Sequence, residues 1–211
     1  MKKLFAMVAV ATALLFAGNV NAQTGVHIGY SPETWTTVDN NGNSSTLELT
    51  TVFAGVDYDV PITGGLNLNI GGQLRYGTES GEQSFYGLAS GKHTTTLVGV
   101  DVPLLFNYGL DLGSLRLTFF AGPKVSFGVL AKTKYEQTVA FLGSSTNEVD
   151  WYNADGMNRN RLNVSGTFGL ALGFQQFRLF GGYNYGFLDM DNSSNTKTTI
   201  GGVFFGLGMT L

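Results

Sequence analysis

The sequence predicts an all-β fold, an eight-stranded antiparallel up-and-down transmembrane β-barrel. Three observations carry this reading: long runs in which apolar and polar residues alternate, connections that alternate between short and long, and a composition suited to sheet. The chain has 30 glycines, 16 phenylalanines and 9 tyrosines but only 13% charged residues. Glycine with aromatics in alternating runs is a strand signature.

The chain opens MKKLFAMVAVATALLFAGNVNAQ, with Lys2 and Lys3, an apolar run from Leu4 to Gly18, and the small polar stretch Asn19-Val20-Asn21-Ala22. This is the pattern of a secretory signal peptide over residues 1–22, cut after Ala22, ahead of a barrel domain at 23–211. The apolar run is shorter than the ~18–20 residues a spanning helix needs. The exported product is therefore expected to be either soluble or a barrel.

Alternating runs follow near 24–36, 46–60, 66–77, 93–108, 115–129, 162–174, 177–188 and 198–211. Each exceeds the ~5–6 residues usual in soluble strands and suffices to cross a bilayer at a tilt. Brief turns follow the second, fourth and sixth runs, at 61–65, 109–114 and Gln175-Gln176. Longer polar loops follow the others, at 37–45, 78–92, 130–161 and 189–197. Short turns at one end and long loops at the other describe an outer-membrane barrel with periplasmic turns and external loops.

The faces agree. In 115–129, Leu115, Leu117, Phe119, Val125, Phe127 and Val129 lie on one side, against Arg116, Thr118, Lys124, Ser126 and glycines. In 162–174 the side opposite Leu162, Val164, Phe168, Leu170 and Leu172 is only Asn163, Ser165, Thr167, Ala171 and glycines. So small a polar face suits a cramped interior, which puts the apolar side outside. Outward aromatics gather at run ends, Tyr58, Tyr108, Phe174 and Phe177 at the turns and Tyr30, Tyr76, Phe127 and Phe187 at the loops, as girdles at the lipid boundary. Pro103 and Pro123 lie inside runs, where bulges or kinks are expected.

The stretches VDVPLLFNYGL (100–110), FFAGPKVSFGV (119–129) and FGGYNYGFLDMD (180–191) resemble the PorT-like outer-membrane β-barrel family, whose members carry a similar acidic residue before PLL and a similar AGP element. In architecture the chain also resembles the OmpA/OmpX-type barrels. The resemblance implies fold and location and brings no catalytic residues. Val203, Phe205, Leu207, Met209 and Leu211 alternate to the end like a closing strand read by the barrel-assembly machinery, although that signal usually ends in an aromatic residue.

Inward parity gathers Asp57, Asp59, Asp101, Arg116 and Arg178 in the turn-side half of the interior, and Glu33, Arg75 and Lys124 in the loop-side half. Buried charge is costly unless paired, so these residues are expected to form a structural, salt-bridged plug rather than a reactive site. In the long loop, Trp151 and Tyr152 are candidates for contact with a partner, while VAFLG and EVDWY read equally well as an extension of the hairpin. The two histidines, His27 and His93, show no serine–histidine–acid spacing, and no phosphate loop, dinucleotide fingerprint or metal-binding cluster is present. Asp39, Asn41 and Asn43 offer alternate oxygens, but solvated turn chemistry explains them without calcium.

No cysteine is available for disulfides or a lipid anchor, and without Lys2 and Lys3 the balance is acidic, which favours no nucleic acid. The expected protein is non-enzymatic, needs no cofactor, and lies in the bacterial outer membrane with a structural or surface-interaction role. Its expected partners are membrane lipid and lipopolysaccharide, periplasmic chaperones and the assembly machinery during biogenesis, and an unknown extracellular partner of the loops. A small outer-membrane pore or uptake channel and a soluble periplasmic lipocalin-like binder remain as alternatives.

Overall fold

The computed structural model describes residues 23–85, 89–139, 143–153, 157–191 and 196–211, so the expected signal segment lies outside the described residues. Nine strands follow in order: β1 (Gln23–Asp39), β2 (Ser44–Thr63), β3 (Leu66–Phe85), β4 (Ala89–Leu112), β5 (Leu115–Val139), β6 (Gly143–Asp150), β7 (Leu162–Phe174), β8 (Phe177–Gly186) and β9 (Thr196–Thr210). They form one antiparallel nine-stranded sheet in the order β4-β3-β2-β1-β9-β8-β7-β5-β6, and β4 pairs with β5 as well.

This corrects the expectation of an eight-stranded up-and-down transmembrane barrel. The described residues form nine strands, and β5 pairs with β7 over Leu115–Phe127 and with β6 over Lys132–Val139, so sheet order departs from chain order. The added strand comes from the 130–161 stretch, where the hairpin-extension reading of EVDWY holds over Glu148–Asp150: Lys132–Val139 continues β5 and Gly143–Asp150 returns beside it, from Lys132↔Asp150 to Val139↔Gly143. Both segments are polar on both faces, so apolar alternation could not reveal them. Backbone hydrogen bonds and cross-strand pairs hold such a hairpin without a buried face.

Hydrogen-bonded neighbours run from β1 through β2, β3, β4, β5, β7, β8 and β9 back to β1, and β6 is attached to β5 alone. Ile28, Val56, Leu74, Phe106, Phe168, Leu170 and Leu207 are exposed, whereas Asp57, Asn69, Asp101, Ser126 and Ser165 are buried. The apolar side is thus outside and the polar side inside. Exposed aromatics stand at the turn end (Tyr108, Phe174, Phe177) and the loop end (Tyr76, Phe187), but also between them, at Phe168 and Phe205.

The turn between β2 and β3 is Gly64-Gly65, with φ of 52° and 85°. Two positive φ values in a two-residue hairpin match the strand twist and favour glycine. Neither Pro103 nor Pro123 shifts the register of its strand. The shift in the β4–β5 ladder falls between Val98 and Gly99, opposite Val129, which is left over. Beyond that extra residue the inward positions of β5 change from even to odd numbers, and Ala131 and Thr133 become buried.

Inward glycines make room for rings. A Cβ at Gly169 would lie 2.5 Å from Phe120 Cζ, and one at Gly206 would lie 2.5 Å from Phe180 Cζ. The rings therefore lie along the wall instead of crossing the middle.

Candidate functional site

The enclosed interior has three tiers. At the turn side, Asp57 on β2 receives Arg178 from β8, with His27 Nδ1 2.8 Å from its Oδ2. Asp59, two residues along the same face, accepts the Asn69 and Asn107 side-chain amides at 3.0 Å each, and Arg178 Nη1 stands 3.8 Å from its Oδ2. His27 Nε2 is 3.3 Å from Gln73 Oε1, and the Gln73 amide donates to Asp101 at 2.9 Å.

That amide leads to the middle tier. Asp101 is fully buried, 3.4 Å from Arg75 Nε and 3.9 Å from Lys124 Nζ. Arg75 in turn donates to Glu33 at 2.7 Å. The eight charged residues singled out in the sequence are thus divided differently from their parity grouping. Asp57, Asp59 and Arg178 meet at the turn side, and Asp101 joins Glu33, Arg75 and Lys124. Arg116 instead reaches Asp111 at 3.4 Å at the exposed turn.

The loop-side tier is an apolar cap of Trp35, Leu49, Leu97, Ala131, Trp151, Met190 and Ile200. Sequence reasoning missed it, and the inward parity of Trp35, Leu49 and Leu97 was the available signal. Trp151 is only 1% exposed. Its ring meets Trp35 edge-on at 5.1 Å, and its Nε1 donates to Thr133 at 2.9 Å. The Arg159 guanidinium covers both indoles, 4.6 Å from Trp151 and 5.3 Å from Trp35. Tyr152 is half-buried beneath Arg161. The candidate contact pair therefore faces inward at Trp151.

Beyond the apolar belt, His93 lies 3.1 Å from Glu79 and its ring stacks near Tyr135. Asp39 accepts the backbone N–H groups of Asn41 and Asn43 and the Asn43 side-chain amide, at 2.8 to 2.9 Å. The Asn43 amide, foremost, holds the Asp39 carboxyl below its ordinary value. Among the described residues no group of three or more His, Cys, Asp or Glu residues is arranged to hold a metal ion.

Long antiparallel strands with apolar residues outside and a charged, hydrogen-bonded interior define a class, the sheet turned inside out for lipid. The chain belongs to the outer membrane protein beta-barrel domain family, which matches residues 16–192, and its location is the bacterial outer membrane. It is similar to the attachment invasion locus protein Ail of Yersinia pestis, solved with the heparin analogue sucrose octasulfate (14% identity, TM-score 0.39, 90% of this chain and 99% of that one). It is similar as well to Neisserial surface protein A (13% identity, TM-score 0.40, 90% and 99%) and to the outer membrane protease OmpT from Escherichia coli (11% identity, TM-score 0.39, 90% and 97%). At these scores the likenesses transfer no function. No curated protein matches the chain.

Proposed function

We propose that the protein is a non-enzymatic integral outer-membrane barrel protein, exported by residues 1–22 and embedded through 23–211, that acts at the cell surface through its loop end. The observation that carries this reading is the pattern of facing, with exposed Ile28, Leu74, Leu170 and Leu207 outside and buried Asp57, Asp101 and Arg75 inside. In this reading the turns lie in the periplasm. β3, β4 and β5 have 20, 24 and 25 residues, against the ~9–11 that a tilted strand needs to cross a bilayer, so their loop-end halves and β6 stand outside the cell.

The charged tiers serve as a structural plug, since each member is engaged by another side chain rather than set beside a nucleophile. Contact with an extracellular partner falls on the exposed β5–β6 face around Tyr135, because Trp151 is spent on the cap. Lipopolysaccharide around the belt, and periplasmic chaperones and the assembly machinery during biogenesis, complete the set of partners. A finer affinity with PorT-like barrels rests on the short 100–110, 119–129 and 180–191 stretches.

The test is an outer-membrane fraction run on SDS gels with and without boiling. A detergent-extracted band that migrates faster unboiled supports the reading; recovery in the periplasmic wash with no such shift rejects it. A small pore is the second reading. The unfilled turn-side interior favours it and the Trp35–Trp151 cap opposes it.

A further inference from the structure

The turn-side interior holds a cavity of about 520 Å³. It reaches from the Glu33, Arg75, Asp101 and Lys124 tier to Gln23, Pro61, Ser114 and Gln175, which are exposed, so it opens at the turn end. That volume is within the ~300–1,000 Å³ typical of small-molecule sites. It exists because the interior rings lie over glycines along the wall, leaving the centre clear.

Its lining is of two kinds. Phe53, Phe120, Phe180 and Phe204 form an aromatic surface, with ring centroids 6.1 Å apart for Phe120 and Phe204 and 6.4 Å for Phe180 and Phe204. Asp57, Asp59, Asn69 and Asn107, from β2, β3 and β4, form an acceptor surface. Asp57 is satisfied by His27 and Arg178, but Asp59 has two neutral amides and only a share in the same guanidinium at 3.8 Å. Asn107 is 8% exposed and gives its amide to Asp59, while its buried Oδ1 has no hydrogen-bond partner. Asp59 thus keeps acceptor capacity towards the cavity, and a charged donor arriving there makes the stronger, charge-assisted kind of hydrogen bond.

We propose that this cavity binds a small organic ammonium ion with an apolar, preferably aromatic, body, admitted from the turn end. Asp59 takes the ammonium hydrogens, and the phenylalanine faces take the body and add cation–π attraction. A neutral isostere keeps the apolar part and an uncharged hydrogen bond but loses the charge, and a carboxylate meets Asp59 with the wrong sign. This goes beyond the surface role above and does not depend on it.

Calorimetric titration of the protein folded in detergent micelles, against a micelle blank, tests this with three probes: phenethylammonium, 2-phenylethanol and 3-phenylpropionate. Phenethylammonium should bind most tightly, and Asp59→Asn should weaken it by about tenfold or more and weaken the alcohol, whose hydroxyl can still donate to the asparagine oxygen, by much less. Phe120→Leu should weaken both. Variants are compared only where the unboiled gel band still migrates fast, and Phe120→Leu carries the test should Asp59→Asn not fold. Equal binding of the three probes, preference for the carboxylate, no binding at all, or a folded Asp59→Asn or Phe120→Leu that binds phenethylammonium normally overturns the proposal.

Discussion

Arg75 Nη1 lies 2.7 Å from both carboxylate oxygens of Glu33, linking β3 to β1 across the interior. Both side chains are buried, so removal of one leaves the other charged and out of water. Glu33→Ala should cost about 3–5 kcal/mol, read as a lower urea midpoint for the protein folded in lipid vesicles. The joint change Glu33→Leu with Arg75→Met should not recover that loss, because it also takes the guanidinium from the buried Asp101 and leaves it Lys124 at 3.9 Å. A single variant as stable as the parent would show the pair to be dispensable.

Leu170 is 48% exposed in mid-strand on β7. In lipid, Leu170→Arg should destabilise by about 2–4 kcal/mol, the depth-dependent penalty for arginine on a barrel's outer face. Thr146→Arg on β6, which is exposed beyond the belt, should stay within about 0.5 kcal/mol. Equal effects at the two positions would contradict the membrane placement.

Alternation in 66–77, 115–129 and 162–174 revealed which residues face out, because a strand set between lipid and a packed interior has two chemically different sides. It could not reveal β6, since a hairpin standing in water has no such contrast. The burial of Trp151 was hidden for another reason. Its partner Trp35 is far away in sequence, and the single extra residue at Val129 exchanges the sides of β5 before the chain reaches Thr133, the acceptor for the indole. Strand tilt explains Asp101. Its neighbour across the ladder is Gln73, and the next arginine along β3 is Arg75, so it joins the middle tier rather than the aspartates of β2.

The cap and the charged tier together close the loop end, so the protein in a planar bilayer should show no conductance steps. Trp151→Ala should cost about 3–5 kcal/mol by opening a space among Trp35, Leu49 and Met190, measured by urea unfolding. Steps from the unaltered protein would remove the closed interior and favour the pore.

Asp39 gives a pH dependence with a definite sign. Its carboxyl is held below the ordinary value by the Asn43 side-chain amide and the N–H groups of Asn43 and Asn41. The stabilisation is therefore complete above the unfolded-state pKa and is lost as pH falls through the lower folded-state value. Hydrogen exchange at the Asn41 and Asn43 amides should lose protection over that acidic interval beyond the ordinary pH dependence of exchange, and Asp39→Asn should abolish the additional change. Protection that ignores pH would mean the turn holds without the carboxylate.

β6 ends at Asp150, and the next residue is Trp151. Among the described strands, the one with a single hydrogen-bonded neighbour is thus joined without slack to the indole that seals the interior. A pull on β6 from outside reaches Trp151 one residue later and has the Arg159 stack and the Thr133 hydrogen bond to work against. Mechanical load at the surface is delivered directly to the lid of the chamber beneath.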